Sequence, residues 1–103
     1  MILALRISDL DNVATVFAQD VKAGDDIEIR DPKGNAQCVK AGERIPYGHK
    51  IAVCPIKKGE NIMKYGERIG VASKDIAVGN HVHIHNLDSM RGRGDLAGKG
   101  EGA

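Results

Sequence analysis

Three of the four histidines fall inside one five-residue stretch, His81-Val82-His83-Ile84-His85. Side chains of a strand change faces at every residue, so His81, His83 and His85 are expected on one face, with Val82 and Ile84 on the other, in the core. Imidazoles at i, i+2 and i+4 converge well enough to hold a divalent metal or an anionic substrate. As metal ligands, His81, His83 and His85 suit Fe(II), Zn(II) or Mn(II), all of which accept imidazole nitrogen. The same row also fits a solvent-facing strand of polar side chains, or a set in which one ring orients another.

The segment before this row holds further candidates. Alternation from Ile62 separates Lys64 from Met63 and Tyr65, and Tyr65-Gly66-Glu67 has the composition of a turn. Lys64 suits the carboxylate of an acidic substrate, or is a solvated lysine beside a turn. Glu67 suits acid or base work, or an ion pair. His49 follows Pro46-Tyr47-Gly48 where a loop enters a strand, from which it reaches a neighbouring site or bonds a backbone carbonyl of its own loop. A His-x-His on a strand is also a cupin feature, but a cupin requires a glutamate a few residues on, and residues 86–91 contain none. No nucleophile elbow or phosphate-cradling glycine loop is present, and neither cysteine has a catalytic context. What remains is half a site.

The elements that must position these residues are short. A chain of 103 residues suits one domain and buries about two-thirds of its unfolded surface. The core must be aliphatic, because the aromatics are Phe17, Tyr47 and Tyr65 alone, and 13 glycines point to tight turns between strands. One pattern recurs: Asp20-Val21-Lys22-Ala23-Gly24-Asp25, Pro55-Ile56-Lys57-Lys58-Gly59-Glu60 and Asp75-Ile76-Ala77-Val78-Gly79-Asn80. Each has an aliphatic anchor, two residues that turn the chain, a glycine available for positive φ, and a polar residue entering a strand. Strands are expected at 27–30, 61–64 and 81–85 after these corners, and at 2–7, 13–17, 36–40, 49–54 and 68–72. Residues 31–35 form a hairpin turn. Residues 9–20 are ambiguous, because Asp9 or Asp11 suits a short helix cap while Val13, Thr15, Val16 and Phe17 favour a strand.

Fifteen basic residues against fourteen acidic give a net charge of +1, which argues against a nucleic-acid partner. No run approaches the ~20 apolar residues of a membrane span, and the start lacks a hydrophobic region of signal-peptide length. Cys38 and Cys54 are expected as reduced, partly buried thiols of a cytoplasmic protein. Beyond Asn86 the chain turns glycine-rich and has almost nothing to bury, as in a flexible tail or linker. Its Arg93-Gly94-Asp95 matches an integrin-binding triplet, with nothing else to suggest secretion.

Ordered blocks along almost the whole chain carry a resemblance. They are Ile45-Pro46-Tyr47-Gly48-His49-Lys50-Ile51-Ala52, Lys58-Gly59-Glu60, Lys64-Tyr65-Gly66-Glu67-x-Ile69-Gly70, and Asp75-Ile76-x-x-Gly79-x-His81-Val82-His83-x-His85-Asn86. Together with Asp11-Asn12-Val13-Ala14 and the stretch from Asn86 to Asp95, they resemble the small SAF-type domain of the altronate and galactarate dehydratase family.

The resemblance implies a mainly β fold, a compact β-clip with at most one or two short helices, over residues 1–88, with 89–103 as the glycine-rich tail. It implies a metal-dependent lyase, often iron-dependent, that removes water from a sugar acid or sulfite from sulfolactate. It also implies a large dehydratase subunit or domain that completes the site, so that this part is inactive alone. Dehydration takes a proton α to a carboxylate, and the developing charge requires a metal and cationic donors. His83 and His85 are therefore expected to face the shared site, with His49, Lys64 and Glu67 at its rim. His49, Lys64 and Tyr65 are the candidates for substrate contact, and Fe(II) or Mn(II) is the expected metal. Exposed strand edges make self-association a further expectation. The competing class is a non-catalytic SAF-type module that binds a metal, a carbohydrate or a protein.

Overall fold

The computed structural model describes residues 2–89. The tail expected at 89–103 therefore lies, except for Ser89, outside the described residues. Nine strands are present among the described residues: β1 Ile2–Leu5, β2 Val13–Val16, β3 Asp26–Arg30, β4 Ala36–Lys40, β5 Lys50–Ala52, β6 Asn61–Lys64, β7 Glu67–Ala72, β8 His81–Val82 and β9 Leu87–Ser89. They form a six-stranded sheet in the order β4-β3-β1-β2-β5-β8 and a three-stranded sheet in the order β6-β7-β9. Only β1 and β3 pair in parallel among these ladders. The fold is the mainly β, β-clip arrangement expected, with no helix among the described residues.

Two aliphatic cores sit on either side of the β2–β5 pair. Ala14, Val16, Ile51 and Val53 face the first core, with Ile27, Ile29, Val21 and Ile45. Val13 and Ala52, one residue out of phase, face the second, with Ile56, Ile62, Ala72, Ile76 and Val82. Covering both faces explains why all four residues of β2 are buried, and why 9–20 yields a strand rather than a helix. The three aromatics take no part in either core. Phe17, Tyr47 and Tyr65 are 43%, 54% and 56% exposed.

The repeated corner is one structure used four times. In each, an N–H three residues on closes the turn: Asp25 to Lys22, His49 to Pro46, Glu60 to Lys57 and Asn80 to Ala77. The third position is a glycine at φ between 79° and 92°, the mark of a type II turn. Its N–H donates across the fold, from Gly24 to Ala41, Gly48 to Val16, Gly59 to Ala72 and Gly79 to Ala52, over 2.7–2.8 Å. The anchors Val21, Ile45, Ile56 and Ile76 are buried, and they bridge in pairs, Val21 with Ile45 and Ile56 with Ile76. The fourth copy, Ile45-Pro46-Tyr47-Gly48-His49, lies in what the sequence presents as a longer loop.

Asp11 organises the remaining turn. Its buried carboxylate accepts the N–H groups of Ser8, Tyr65 and Gly66 at 3.1, 3.0 and 2.8 Å. Tyr65 and Gly66 are the two central residues of the β6–β7 hairpin, with φ of 56° and 76°, as a type I′ turn requires. Left-handed backbone is costly for a tyrosine, and the bonds to Asp11 offset that cost. Asp11 thus caps a hairpin rather than a helix.

Three expectations are corrected. The thiols of Cys38 and Cys54 are exposed, because Cys38 lies on the outer strand β4 and Cys54 in the bend after β5. The strand expected over 81–85 stops at Val82, where Asn86 folds the chain back. Ile84, placed in the core by strict alternation, is instead 83% exposed. β9 was not expected, since its three residues carry no alternation and owe their pairing to β7.

Two stability predictions follow from these turns. A Cβ on Gly24 meets nothing within 4 Å, whereas one on Gly79 would lie 2.1 Å from the Lys40 carbonyl oxygen. Gly24→Ala should cost about 1–2 kcal/mol from its backbone alone, and Gly79→Ala at least about 2 kcal/mol more because a backbone must move. Asp11→Ala, which leaves three N–H groups without their acceptor, should cost about 3 kcal/mol. Urea denaturation of the full chain checks all three.

Candidate metal and substrate site

Two of the four corners end at a histidine's door. The turn at 46–49 delivers His49 to the start of β5, and its carbonyl accepts the Val16 N–H at 2.9 Å. The turn at 77–80 delivers His81 to β8, which lies antiparallel to β5 with Ile51 opposite His81 and Lys50 opposite Val82. Asn86 then closes the next turn. Its side-chain amide donates to the His81 carbonyl at 2.8 Å and accepts the His83 N–H at 2.9 Å. This fold-back keeps His83 beside His81, although the strand has ended.

The outcome is a stack of imidazoles on an outer strand of the larger sheet. Ring centroids are 4.2 Å apart for His49 and His83, 5.0 Å for His49 and His81, and 5.5 Å for His81 and His83. His49 Nδ1 and His81 Nε2 are 2.8 Å apart and share one hydrogen bond. One available nitrogen from each of His49, His81 and His83 lies within 4.8 Å of the others. His85 is alongside, its ring 5.1 Å from that of His81.

The surroundings favour the neutral form of His81 and His83. Burial, and then the charge that His49, His85 and His83 would carry, push His81 down to about 4, against a smaller opposing pull from Glu43. The Glu43 carboxylate also accepts the His81 backbone N–H at 3.1 Å. His83 is lowered by burial, then by His49, Lys50 and His85. Neutral imidazoles carry the lone pair that a metal needs. Metal–nitrogen distances of about 2.0–2.1 Å place ligand nitrogens roughly 3–3.5 Å apart, within reach of small side-chain rotations from the spacing seen. The donor set therefore fits Fe(II), Mn(II) or Zn(II).

The residues singled out in the sequence are distributed as follows. His81 and His83 belong to the cluster, His85 is its neighbour, and His49 stands inside it rather than on a rim. Lys64 ends β6, its ammonium 4.9 Å from the centre of the Tyr65 ring, and it reaches the cluster's surroundings only through Lys50, whose pKa it helps to lower. Tyr65 and Glu67 occupy the β6–β7 hairpin, and among the described residues no hydrogen bond, ion pair or ring contact joins either to the imidazoles. Lys50, Glu43 and Asn86 escaped notice. Alternation across 49–54 could have flagged Lys50 as a polar residue on an otherwise apolar face; Glu43 carries no local signal.

Known proteins share this framework. Residues 2–90 match the altronate/galactarate dehydratase SAF domain. The chain belongs to that family. The altronate dehydratase of Escherichia coli is 42% identical over 82 residues, which are 80% of this chain but 15% of that enzyme. The (2R)-sulfolactate sulfo-lyase subunit alpha of Chromohalobacter salexigens is 32% identical over 83 residues, 79% of this chain and 87% of that subunit. Its counterpart in Paracoccus pantotrophus is 47% identical over 47 residues, 46% of this chain and 70% of that subunit. The SAF domain is thus a small part of some relatives and most of others.

The cluster predicts how the metal-free chain responds to acid. His81 binds a proton less readily folded than unfolded, so its contribution to stability is complete above pH 6.5 and is lost as pH falls towards about 4. After discounting for partial solvent exposure, the loss should be on the order of 1 kcal/mol. His81→Gln should remove this component, seen by comparing the pH dependence of urea unfolding for the two proteins.

Proposed function

We propose that this chain is the SAF part, as small subunit or N-terminal domain, of a metal-dependent hydro-lyase that dehydrates a sugar acid such as altronate or galactarate. The observation that carries the reading is the open cluster of His49, His81 and His83 in a domain of the dehydratase family. A bound divalent metal supplies Lewis acidity for the hydroxyl and carboxylate oxygens of the acid. The chain's own residues would do the rest. His49, His81 and His83 would hold the ion, and His85, beside them and exposed, would pass a proton to the departing hydroxyl. Lys64 faces the carboxylate, with Tyr65 and Glu67 on the hairpin behind it.

A large dehydratase subunit or domain is the proposed partner, which supplies the base that takes the α proton. The cluster lies on an outer strand, and its margins are apolar and exposed: Ile84 on one side, and the edge-to-face pair Phe17–Tyr47, 6.2 Å apart, beside the turn that carries His49. Such a margin suits burial against another surface. A cytoplasmic setting accompanies this reading, consistent with two free thiols. The likeness to sulfo-lyase subunits along most of their length favours a second reading, in which sulfite leaves from sulfolactate.

Metal titration of the full chain tests the first step. His49→Ala and His83→Ala should each weaken Zn(II) or Mn(II) binding by about tenfold or more, and unchanged binding would sink the cluster as a metal site. Co-purification from the native host should recover a larger dehydratase-like partner. In that assembly His83→Ala and His85→Ala should lower turnover by about a hundredfold or more. Assaying sugar acids for loss of water and sulfolactate for release of sulfite separates the two substrate readings.

A further inference from the structure

Each sheet ends in two outer strands, β4 and β8 in the larger and β6 and β9 in the smaller. An outer strand carries a row of N–H and C=O groups with no neighbouring strand, and side chains close two of these rows. Along β8 and the residue after it, Glu43 accepts the His81 N–H, and the Asn86 amide bonds the His81 carbonyl and the His83 N–H. Along β6, the Asn12 side chain bonds the Asn61 carbonyl and the Met63 N–H, and the Asn12 N–H donates to the Met63 carbonyl. β9 is only three residues long. That leaves β4, five residues long, with Ala36, Gln37 and Cys38 all exposed.

The register tells which groups of β4 are open. At the two ends of the β3–β4 ladder, the Asp31 N–H donates to Asn35 and the Ala41 N–H to Asp25, over 3.1 and 2.8 Å. Bonded pairs in an antiparallel ladder recur at every second residue, so Gln37 and Val39 bond to β3. Ala36, Cys38 and Lys40 therefore turn their N–H and C=O groups outward. At Lys40 the row is closed, because the turn at Gly79 lies against its carbonyl; a Cβ on Gly79 would come within 2.1 Å of that oxygen. Among the described residues, no hydrogen bond reaches the outward groups of Ala36 and Cys38.

We propose that the open edge at Ala36 and Cys38 is a dimer interface, covered by the same edge of a second copy of this chain lying antiparallel about a two-fold axis at Gln37. In that register Ala36 of one copy and Cys38 of the other exchange both N–H···O bonds, twice by symmetry, and every open group finds a partner. Charge selects the same register. On β3, Arg30 stands opposite Ala36 and Glu28 opposite Cys38. Glu28 of one copy and Arg30 of the other thus share a face, with only a cysteine and an alanine between them. Centring the pair on Cys38 instead sets Lys40 of one copy opposite Ala36 of the other, which brings it towards Arg30, and requires the carbonyl that Gly79 covers. The paired edge is short, so the dimer is expected to form in the micromolar range or above. No residue of the imidazole cluster takes part, and the interface rests on neither the metal nor the dehydratase reading.

Sedimentation of the reduced full chain from micromolar to millimolar concentration, with amide hydrogen exchange on the same samples, tests the interface. A monomer–dimer equilibrium is expected. The amides of Ala36 and Cys38 should exchange freely when dilute and at least about tenfold more slowly when concentrated. Those of Gln37 and Val39, bonded to β3, should be slow throughout. Cys38→Pro removes one outward N–H and no bond to β3, and should leave a monomer. Arg30→Glu should weaken the dimer by about tenfold or more, and combining it with Glu28→Arg should restore it; if the exchange of charges does not restore it, the register is overturned. A chain that stays monomeric at millimolar concentration overturns the interface, as does a dimer in which Ala36 and Cys38 exchange as freely as in the monomer. Protection that does not depend on concentration assigns the edge to another part of the same chain and overturns it as well. So does a dimer undiminished by Cys38→Pro, shown folded by its amide spectrum; should that variant not fold, the exchange pattern of the unaltered chain decides.

Discussion

One hydrogen bond recurs at four corners of this chain: a glycine N–H, held at positive φ, donating to a backbone carbonyl across the fold. The bond requires the glycine because only its missing Cβ makes that backbone comfortable. It also requires a buried aliphatic residue three positions earlier, which pins the turn to the core. With those two constraints met four times, strands of two to six residues stack into two sheets, with no helix among the described residues to brace them. Their cooperativity comes from long-range pairing, since isolated strands of this length have little stability of their own.

The site is a by-product of that scaffold. Two corners end side by side, so His49 and His81, thirty-two residues apart in sequence, come within hydrogen-bond distance on backbone that has little freedom. Asn86 extends the arrangement by one residue, substituting side-chain bonds for the ladder bonds that a longer β8 would have made. The rings then crowd one another, and burial with the neighbouring charges disfavours protonation of His81 and His83. Rings held in this way would lose little entropy on binding an ion, as the proposed metal role requires.

Membership of the dehydratase SAF family fits this economy. A domain that forms most of a sulfo-lyase subunit and 15% of an altronate dehydratase must carry its local chemistry on a self-sufficient framework. Phe17 and Tyr47 stand beside the turn that carries His49 and Tyr65 on the β6–β7 hairpin, none of them in the cores, which are filled by isoleucine, valine and alanine.

Much of this was legible in the residues themselves. The glycine corners, the strands 36–40 and 61–64, the aliphatic core and the family blocks are local patterns, and local patterns survive folding because turn chemistry and alternation act over a few residues. The importance of the histidine row was equally plain. What the sequence could not supply was its geometry. Strict alternation put His85 with His83 and buried Ile84, but Asn86 ends the strand after Val82, and the third ring of the cluster comes from His49, a distant residue. Lys50 gained its place only through cross-strand register, Glu43 through a bond to the His81 backbone, and Asp11 through contact with a hairpin more than fifty residues away. Residue types and turns are set by neighbours along the chain; which imidazoles share a space is set by pairing between strands, and that is decided only when the whole sheet closes.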